Sequence, residues 1–195
     1  MFNFKTWLFE SNDIDGLIFG LKRNINDYLT YLAIADFYDE NGHVDFSNIF
    51  RVIGDGLKNG KRLLTIISKL KQSDLSKLKE FFNLSEIKLS HSGILSPNSI
   101  LDMLSDNIDG ISTSLGNFHI LDCKYDRNMF NQYEYSFRGI FNKHEAHLTL
   151  VNDRNFFSVH AYVEEDDNLT EDCRLHIDNL VRERSNKILK FVREN

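Results

Sequence analysis

The feature that most restricts the fold is an alternation of apolar and polar residues along residues 133–163. Three runs, 133–141, 146–151 and 156–163, place an apolar residue at most alternate positions, as strands with one buried face require. Polar, turn-rich segments separate these runs, and a fourth run of β-like composition covers residues 118–125. The pattern therefore predicts a four-stranded antiparallel β-meander with one apolar face.

The pairing register of this meander can be predicted from its turns. If Asn152 lies opposite Asn155, the apolar residues of the last two runs face one another. If Phe141 lies opposite Ala146, the preceding hairpin adds its apolar residues to the same face. A slip of one residue would destroy this segregation, because successive side chains point to opposite faces. Two hairpins that agree on one apolar face are the strongest indication of this fold.

A long amphipathic helix is predicted after the meander. Thr170 is its expected N-cap, and the acidic residues that follow lie where the helix dipole favours them. Apolar residues then recur at helical spacing, which predicts that the helix covers the apolar face of the sheet. These residues are Cys173, Ile177, Leu180, Val181, Ile188, Phe191 and Val192.

The first half of the chain has helical periodicity instead of alternation. A serine and a proline, Ser96 and Pro97, predict the start of one helix, which ends before Gly110. The other predicted helices share apolar stripes and cover residues 14–37, 45–57, 61–70 and a segment capped by Ser73.

Together these patterns predict an α+β fold: a helical N-terminal half, then a four-stranded antiparallel β-meander covered by a C-terminal amphipathic helix. Residues 89–96 lie between the two parts. We therefore predict a helical subdomain over residues 1–90 and an α+β subdomain over residues 97–195. At 195 residues the chain is also short enough for both parts to form one compact unit.

The composition restricts the class of protein. The formal net charge is −6, which disfavours nucleic acid and anionic membranes as partners, because both select basic surfaces. No run approaches the roughly 20 apolar residues that span a bilayer, and the N-terminus does not resemble a secretory signal. Cys123 and Cys173 are interpreted as free thiols, although the sequence also permits a disulfide between them. We expect an acidic, soluble, cytoplasmic protein, and its abundant asparagine, isoleucine and lysine indicate a bacterial or viral genome.

The polar face of the predicted meander provides the main candidate for a site. In the predicted register His147 lies beside His160, and two adjacent histidines could act as an acid–base pair or hold a metal ion. An exposed antiparallel face is also normally polar, so a solvated surface without activity is the preferred interpretation. The candidate residues are Arg138, Thr149, Ser158 and the two histidines, with Glu145 at one edge.

The run His147-Leu148-Thr149-Leu150 resembles the His-apolar-Thr-apolar element of the two-histidine phosphoesterases. That family uses two such elements, and the resemblance implies hydrolysis of a phosphodiester by paired histidines. The second element here would be His160-Ala161-Tyr162-Val163, which lacks the threonine and follows closely in the chain.

A second candidate lies in the turn after the first predicted helix. The run 39–46 resembles the middle of an EF-hand calcium loop, with Gly42 at the position of the invariant glycine. The resemblance implies Asp39, Asn41 and Asp45 as calcium ligands. The last ligand position holds Asn48, where the family has a glutamate, so a structural turn is preferred to a metal site.

The leading functional hypothesis is a non-catalytic protein that binds another protein, with no cofactor. It depends on the lack of a convincing nucleophile, metal cage or nucleotide loop in the sequence. Small acidic α+β proteins of this kind suit the roles of inhibitors, immunity proteins, chaperones and accessory or virion proteins of phages. The alternative is a small hydrolase that acts on a phosphodiester through His147 and His160. The sequence leaves open whether the chain forms a homo-oligomer.

Overall fold

The computed structural model describes residues 14–89, 92, 94–112, 117–153, 156–164 and 167–194. Within this range the chain divides into two compact units, one formed by the described residues of 14–94 and 191–194, and the other by those of 95–190. The fold is mixed α+β, with helices in the first half, an antiparallel sheet and C-terminal helical segments, as predicted. No helix among the described residues is long and apolar enough to cross a lipid bilayer.

The first unit is helical. It contains α1 (Ile14–Arg23), α2 (Tyr28–Glu40), α3 (Val44–Lys58), α4 (Leu63–Ser68) and α5 (Gln72–Leu84). Its core is aromatic, with the ring of Phe50 lying 5.8 Å from Tyr38 and 4.6 Å from Phe81, centroid to centroid. Apolar side chains from all five helices are buried around these rings, among them Leu21, Tyr31, Ile53, Leu64 and Leu78.

Two predictions for the helical unit are wrong. The single helix over residues 14–37 is two helices, because the Asp27 carboxylate caps α2 by accepting hydrogen bonds from the Leu29 amide (3.4 Å) and the Thr30 hydroxyl (2.9 Å). The apolar stripe continues in phase across this break, which hides it in the sequence. Ser73 is not a cap either, since α5 begins at Gln72 with Lys71 in the cap position.

The second unit combines an antiparallel sheet with helices. It begins with α6 (Pro97–Ile108), whose N-cap is Ser96 as predicted, with the Ser96 hydroxyl accepting from the Ser99 amide at 3.2 Å. The strands follow in spatial order β1-β2-β3-β4-β5. They are β1 (Ile111–Ser112), β2 (Asn117–Arg127), β3 (Tyr133–Phe141), β4 (His144–Asp153) and β5 (Phe156–Val163). Only the short β1 was not predicted.

Helices cover the apolar face of this sheet. The C-terminal segment consists of α7 (Asp167–Leu180), a π-helical stretch (Val181–Asn186) and α8 (Lys187–Arg193). Of these, α7 and the π-helical stretch pack against β5, while α6 packs against β2 and β3. All members of the predicted apolar stripe are buried except the partly buried Leu180. Phe191 and Val192 belong to the helical unit, where Phe191 lies beside Phe82, so only the earlier part of the stripe covers the sheet as predicted.

The predicted register is wrong by two residues in both hairpins. Phe141 lies opposite His144, not Ala146, because Asn142 and Lys143 form a two-residue turn with φ of 48° and 74°. In the last hairpin Asn152 lies opposite Phe157, while Asn155 lies outside the described residues. A shift of two residues keeps each side chain on its face. The predicted faces are therefore correct although the predicted partners are not.

Thr170 does not cap the C-terminal helix as predicted. α7 already begins at Asp167, and Thr170 lies within its first turn. Its hydroxyl instead accepts a hydrogen bond from the Val163 amide at 2.8 Å and donates one to the Val163 carbonyl at 3.2 Å. The side chain thus joins the helix to the last strand of the sheet.

Candidate functional site

The face of the sheet opposite α6 and α7 is called the outer face here. Alternation in the observed register places all of the predicted site residues of the meander on it. Arg138 lies directly opposite His147, and Thr149 lies directly opposite His160. The predicted side-by-side pairing of His147 with His160 is wrong, since His147 faces Tyr162. The two histidines are diagonal neighbours on adjacent strands.

A three-residue cluster on the outer face is centred on Glu145. Its Oε1 lies 3.5 Å from Arg138 Nη1 and 3.5 Å from His147 Nε2. The side chains of Arg138, Glu145 and His147 are 51%, 36% and 47% exposed, so water competes for each contact. Ion pairs at such exposure contribute about 0–1 kcal/mol to stability. The cluster therefore lies on a surface that is open to solvent.

The remaining candidates of the outer face lie away from this cluster. The ring of Tyr162 is 6.5 Å from that of His147, and both side chains are exposed. Ser158 lies opposite Val151, one row beyond Thr149 and His160. The outer face therefore presents the predicted residues on one open surface. Their catalytic role stays a prediction.

The EF-hand-like segment forms a tight turn. Asp39 is still within α2, and only residues 41–43 separate α2 from α3. The side-chain amide of Asn41 donates through Nδ2 to the Phe37 carbonyl at 2.7 Å, while Gly42 has a φ of 77°. The Asp45 carboxylate forms an ion pair with Lys77, and this contact lowers the pKa of Asp45. The three predicted ligands thus serve a helix end, a turn and an ion pair.

Potential metal ligands do not converge elsewhere in the described residues. No group of three or more histidine, cysteine, aspartate or glutamate side chains there is placed to hold a metal ion. Cys123 and Cys173 are free thiols in the structure. Burial, with a smaller effect of the neighbouring Asp172 carboxylate, raises the pKa of Cys173 to about 12.

A second surface was missed by the sequence analysis. The turn between β2 and β3, residues 128–132, is called the hairpin tip. Met129 and Phe130 project from it, with 91% and 74% of their surface exposed. The polar composition of this segment predicts only a turn. Two large apolar residues inside an otherwise polar turn were the feature that could have revealed it.

The hairpin tip is held by its own hydrogen bonds. Asn128 Oδ1 accepts from the amides of Phe130 and Gln132, both at 3.0 Å. The Asn128 amide donates to the Gln132 carbonyl at 3.0 Å, and the Asn131 amide donates to the Asn128 carbonyl at 2.9 Å. Asn131 adopts a φ of 59°, which asparagine tolerates better than most residues. These bonds fix the backbone that carries the two apolar side chains.

Aromatic and basic groups lie next to the hairpin tip. The guanidinium of Arg127 lies 4.8 Å from the centroid of the Tyr133 ring, and it donates to the Tyr133 hydroxyl at 3.0 Å. The same guanidinium donates to Asn131 Oδ1 at 2.7 Å. The half-buried rings of Tyr125 and Tyr133 are 6.0 Å apart. The end of the hairpin thus combines methionine, phenylalanine, tyrosine and arginine on one ordered projection.

Comparison with known proteins places the chain in no family. No family model, no curated protein and no solved structure matches it.

Proposed function

We propose that this chain is a non-catalytic protein that binds another protein, and that the hairpin tip is its principal contact. The exposure of Met129 and Phe130 on a hydrogen-bonded turn is the observation that carries the proposal. Burial of each side chain against a partner would contribute about 1.5–3 kcal/mol. Their position at a projection suits insertion into an apolar pocket.

The residues around the tip support a protein partner. Methionine, aromatic residues and arginine are enriched in the cores of protein–protein interfaces, and tyrosine and arginine often dominate binding energy. Tyr133 and Arg127 are held by mutual contacts, so little side-chain freedom would be lost on binding. The net charge of −6 disfavours an anionic membrane as the surface that receives the tip. An inhibitor, immunity, chaperone-like or phage accessory role in the cytoplasm agrees with this mode of action.

Affinity capture from the native host tests the proposal. The bait is the parent chain, the tip variant Phe130→Asp, or the control Leu175→Asp, which places the same charge at another exposed apolar position. We expect a protein that the parent and the control recover and the tip variant loses. Replacement of Phe130 by a photo-reactive phenylalanine analogue should crosslink the same protein. Equal recovery by all three baits would refute the role of the tip.

The Arg138–Glu145–His147 cluster supports a second function, hydrolysis of a phosphodiester. Glu145 Oε1 lies between a cation that could bind phosphate and a histidine that could transfer a proton. Turnover of a chromogenic phosphodiester by the parent, lost in His147→Ala and His160→Ala, would support it. Absence of turnover by the parent excludes this alternative for the substrate used.

A further inference from the structure

The two long edges of the sheet are occupied differently. Strand β5 forms one edge. The Glu164 amide bonds to the Glu145 carbonyl of β4, and alternate residues of a strand bond to the same neighbour. The outward backbone groups of β5 therefore belong to residues 157, 159, 161 and 163. Side chains of the C-terminal helical segments occupy both ends of this edge. Asn186 Oδ1 accepts from the Phe157 amide at 2.9 Å, and the Thr170 hydroxyl bonds to both backbone groups of Val163.

At the opposite edge the two-residue β1 pairs only with Asn117 and Phe118, and β2 forms the edge beyond it. This edge of β2 is occupied only in its first half. The Gly110 amide donates to the Phe118 carbonyl at 2.8 Å, and Asp109 Oδ1 accepts from the Ile120 amide at 2.9 Å. A bulge at Leu121 follows. Beyond it the backbone groups of Cys123, Tyr125 and Arg127 point away from β3.

This second half of β2 is called the open edge. The turn determines which residues of β2 point outward. The Asn128 amide bonds to the Gln132 carbonyl, so alternate residues counted back from Asn128 bond to β3 and the residues between them point away from it. The Arg127 amide is satisfied locally by Asp126 Oδ1 at 2.7 Å. Within the described part of the chain, the outward backbone groups of Cys123 and Tyr125 have no partner. An edge of this kind is a template for another strand.

We infer that the open edge pairs antiparallel with the open edge of a second copy of this chain, with Tyr125 opposite Tyr125. Two copies related by a two-fold axis bring the same strand together in opposite directions. The outward backbone groups permit three central registers, in which Lys124, Tyr125 or Asp126 lies opposite the same residue of the other copy. The charges of the strand favour the register centred on Tyr125. With Tyr125 opposite itself, Lys124 of each copy faces Asp126 of the other. A shift by two residues in either direction places Lys124 or Asp126 opposite its own copy, which is repulsive.

The surroundings of Asp126 favour the same partner. On β3, Glu134 lies directly opposite Asp126, which is a like-charge pair within one chain. In the proposed register, Lys124 of the second copy lies on the other side of Asp126 and supplies a cation. The side chains of Lys124 and Asp126 are exposed, so no rearrangement of the strand is needed. The pairing adds main-chain hydrogen bonds at Tyr125 and from the Cys123 amide to the Arg127 carbonyl, while the Arg127 amide keeps its bond to Asp126 Oδ1. It would form one sheet across both copies.

Charge exchange tests the pairing in purified protein by sedimentation over a wide concentration range. The parent should form dimers. Lys124→Glu or Asp126→Lys alone should raise the dissociation constant of the dimer about tenfold, because two cross-strand pairs become repulsive in each case. The double variant should restore it, and a mixture of the two single variants should form heterodimers. Lys143→Glu, which makes the same charge change on a distant exposed turn, should match the parent.

Amide exchange gives a second readout. The Cys123 and Tyr125 amides should become protected as the concentration rises, while those of Val159 and Ala161 on the other edge should not. A parent that stays monomeric, single variants that dimerise like the parent, or a double variant that is not restored would each overturn the inference. The proposed function does not depend on it, because Phe130 variants test the tip and these variants test the edge.

Discussion

Replacement of Thr170 by valine tests whether the C-terminal helix holds the last strand through one hydroxyl. In the folded chain this hydroxyl accepts from the Val163 amide and donates to the Val163 carbonyl. Valine has nearly the same shape and a similar helix propensity, so packing and helix formation change little. Val163 is 1% exposed, and water has little access to its side of the strand.

The expected loss is about 2 kcal/mol, from two hydrogen bonds worth about 1 kcal/mol each. Urea unfolding followed by far-UV circular dichroism should show a lower midpoint for Thr170→Val than for the parent. Amide exchange at Val163 should accelerate by a larger factor than at Leu150 in β4, because the opening is local. Thr170→Ser is the matched control, since it keeps the hydroxyl and removes only a methyl group.

Two results would refute this reasoning. One is a Thr170→Val protein whose unfolding midpoint and Val163 exchange equal those of the parent. The other is a Thr170→Ser protein as unstable as Thr170→Val, which would assign the effect to the methyl group instead of the hydroxyl.

Four further predictions concern thiols and buried or strained groups. Tyr31→Phe should leave stability unchanged or raise it by about 1 kcal/mol in thermal unfolding, because the Tyr31 hydroxyl is buried with no hydrogen-bond partner among the described residues; a marked loss would reveal a partner. Thiol labelling at mild alkaline pH should modify the partly buried Cys123 well before the buried Cys173. Burial raises the pKa of Cys173 to about 12, whereas the thiol of the unfolded chain has a pKa of about 8.5. The stability that the protonated thiol contributes is therefore complete below about pH 8.5 and is lost as the pH rises toward 12. Unfolding measured as a function of pH checks this. Lys143→Gly should stabilise the chain by about 1 kcal/mol in urea unfolding, because residue 143 has a φ of 74°, and destabilisation would contradict this.

The faces of the sheet were predictable and its register was not. Alternation determines the face of each residue, and any shift by an even number of residues leaves the faces unchanged. His144 and Glu145 are predicted to lie in the turn because they are polar. In the structure they belong to β4, at positions where the sheet meets solvent. Polar residues at a strand end and polar residues in a turn are alike in composition. Only the backbone geometry of the turn at Asn142 and Lys143 shows that His144 and Glu145 belong to the strand.

The same limit explains which parts of the candidate site were predictable. The predicted residues of the meander share the outer face, because a shift by two residues preserves it. The contact between Glu145 and His147 depends on their positions along one strand, and the pairing of His147 with Tyr162 depends on the register. Met129 and Phe130 were missed because exposure is a property of the folded chain. The periodicity that identifies core residues does not apply within a turn.

The charges of β2 have two possible purposes, and the pattern of signs distinguishes them. Proteins often place charged residues on an edge strand to prevent pairing. A strand protected in this way carries charges of one sign, so that every self-pairing register is repulsive. Asp122, Lys124 and Asp126 alternate in sign along the exposed side of β2. Opposite charges meet in two self-pairing registers, one centred on Tyr125 and one centred on Cys123. The register centred on Cys123 places Tyr125 opposite Leu121 in the bulge, so only the register centred on Tyr125 keeps a regular ladder. The β5 edge, in contrast, is bound at both ends, where Asn186 and Thr170 occupy backbone groups of Phe157 and Val163. A second β5 strand would have to displace both side chains, whereas the open edge of β2 offers Cys123 and Tyr125 together with complementary charges in the register centred on Tyr125.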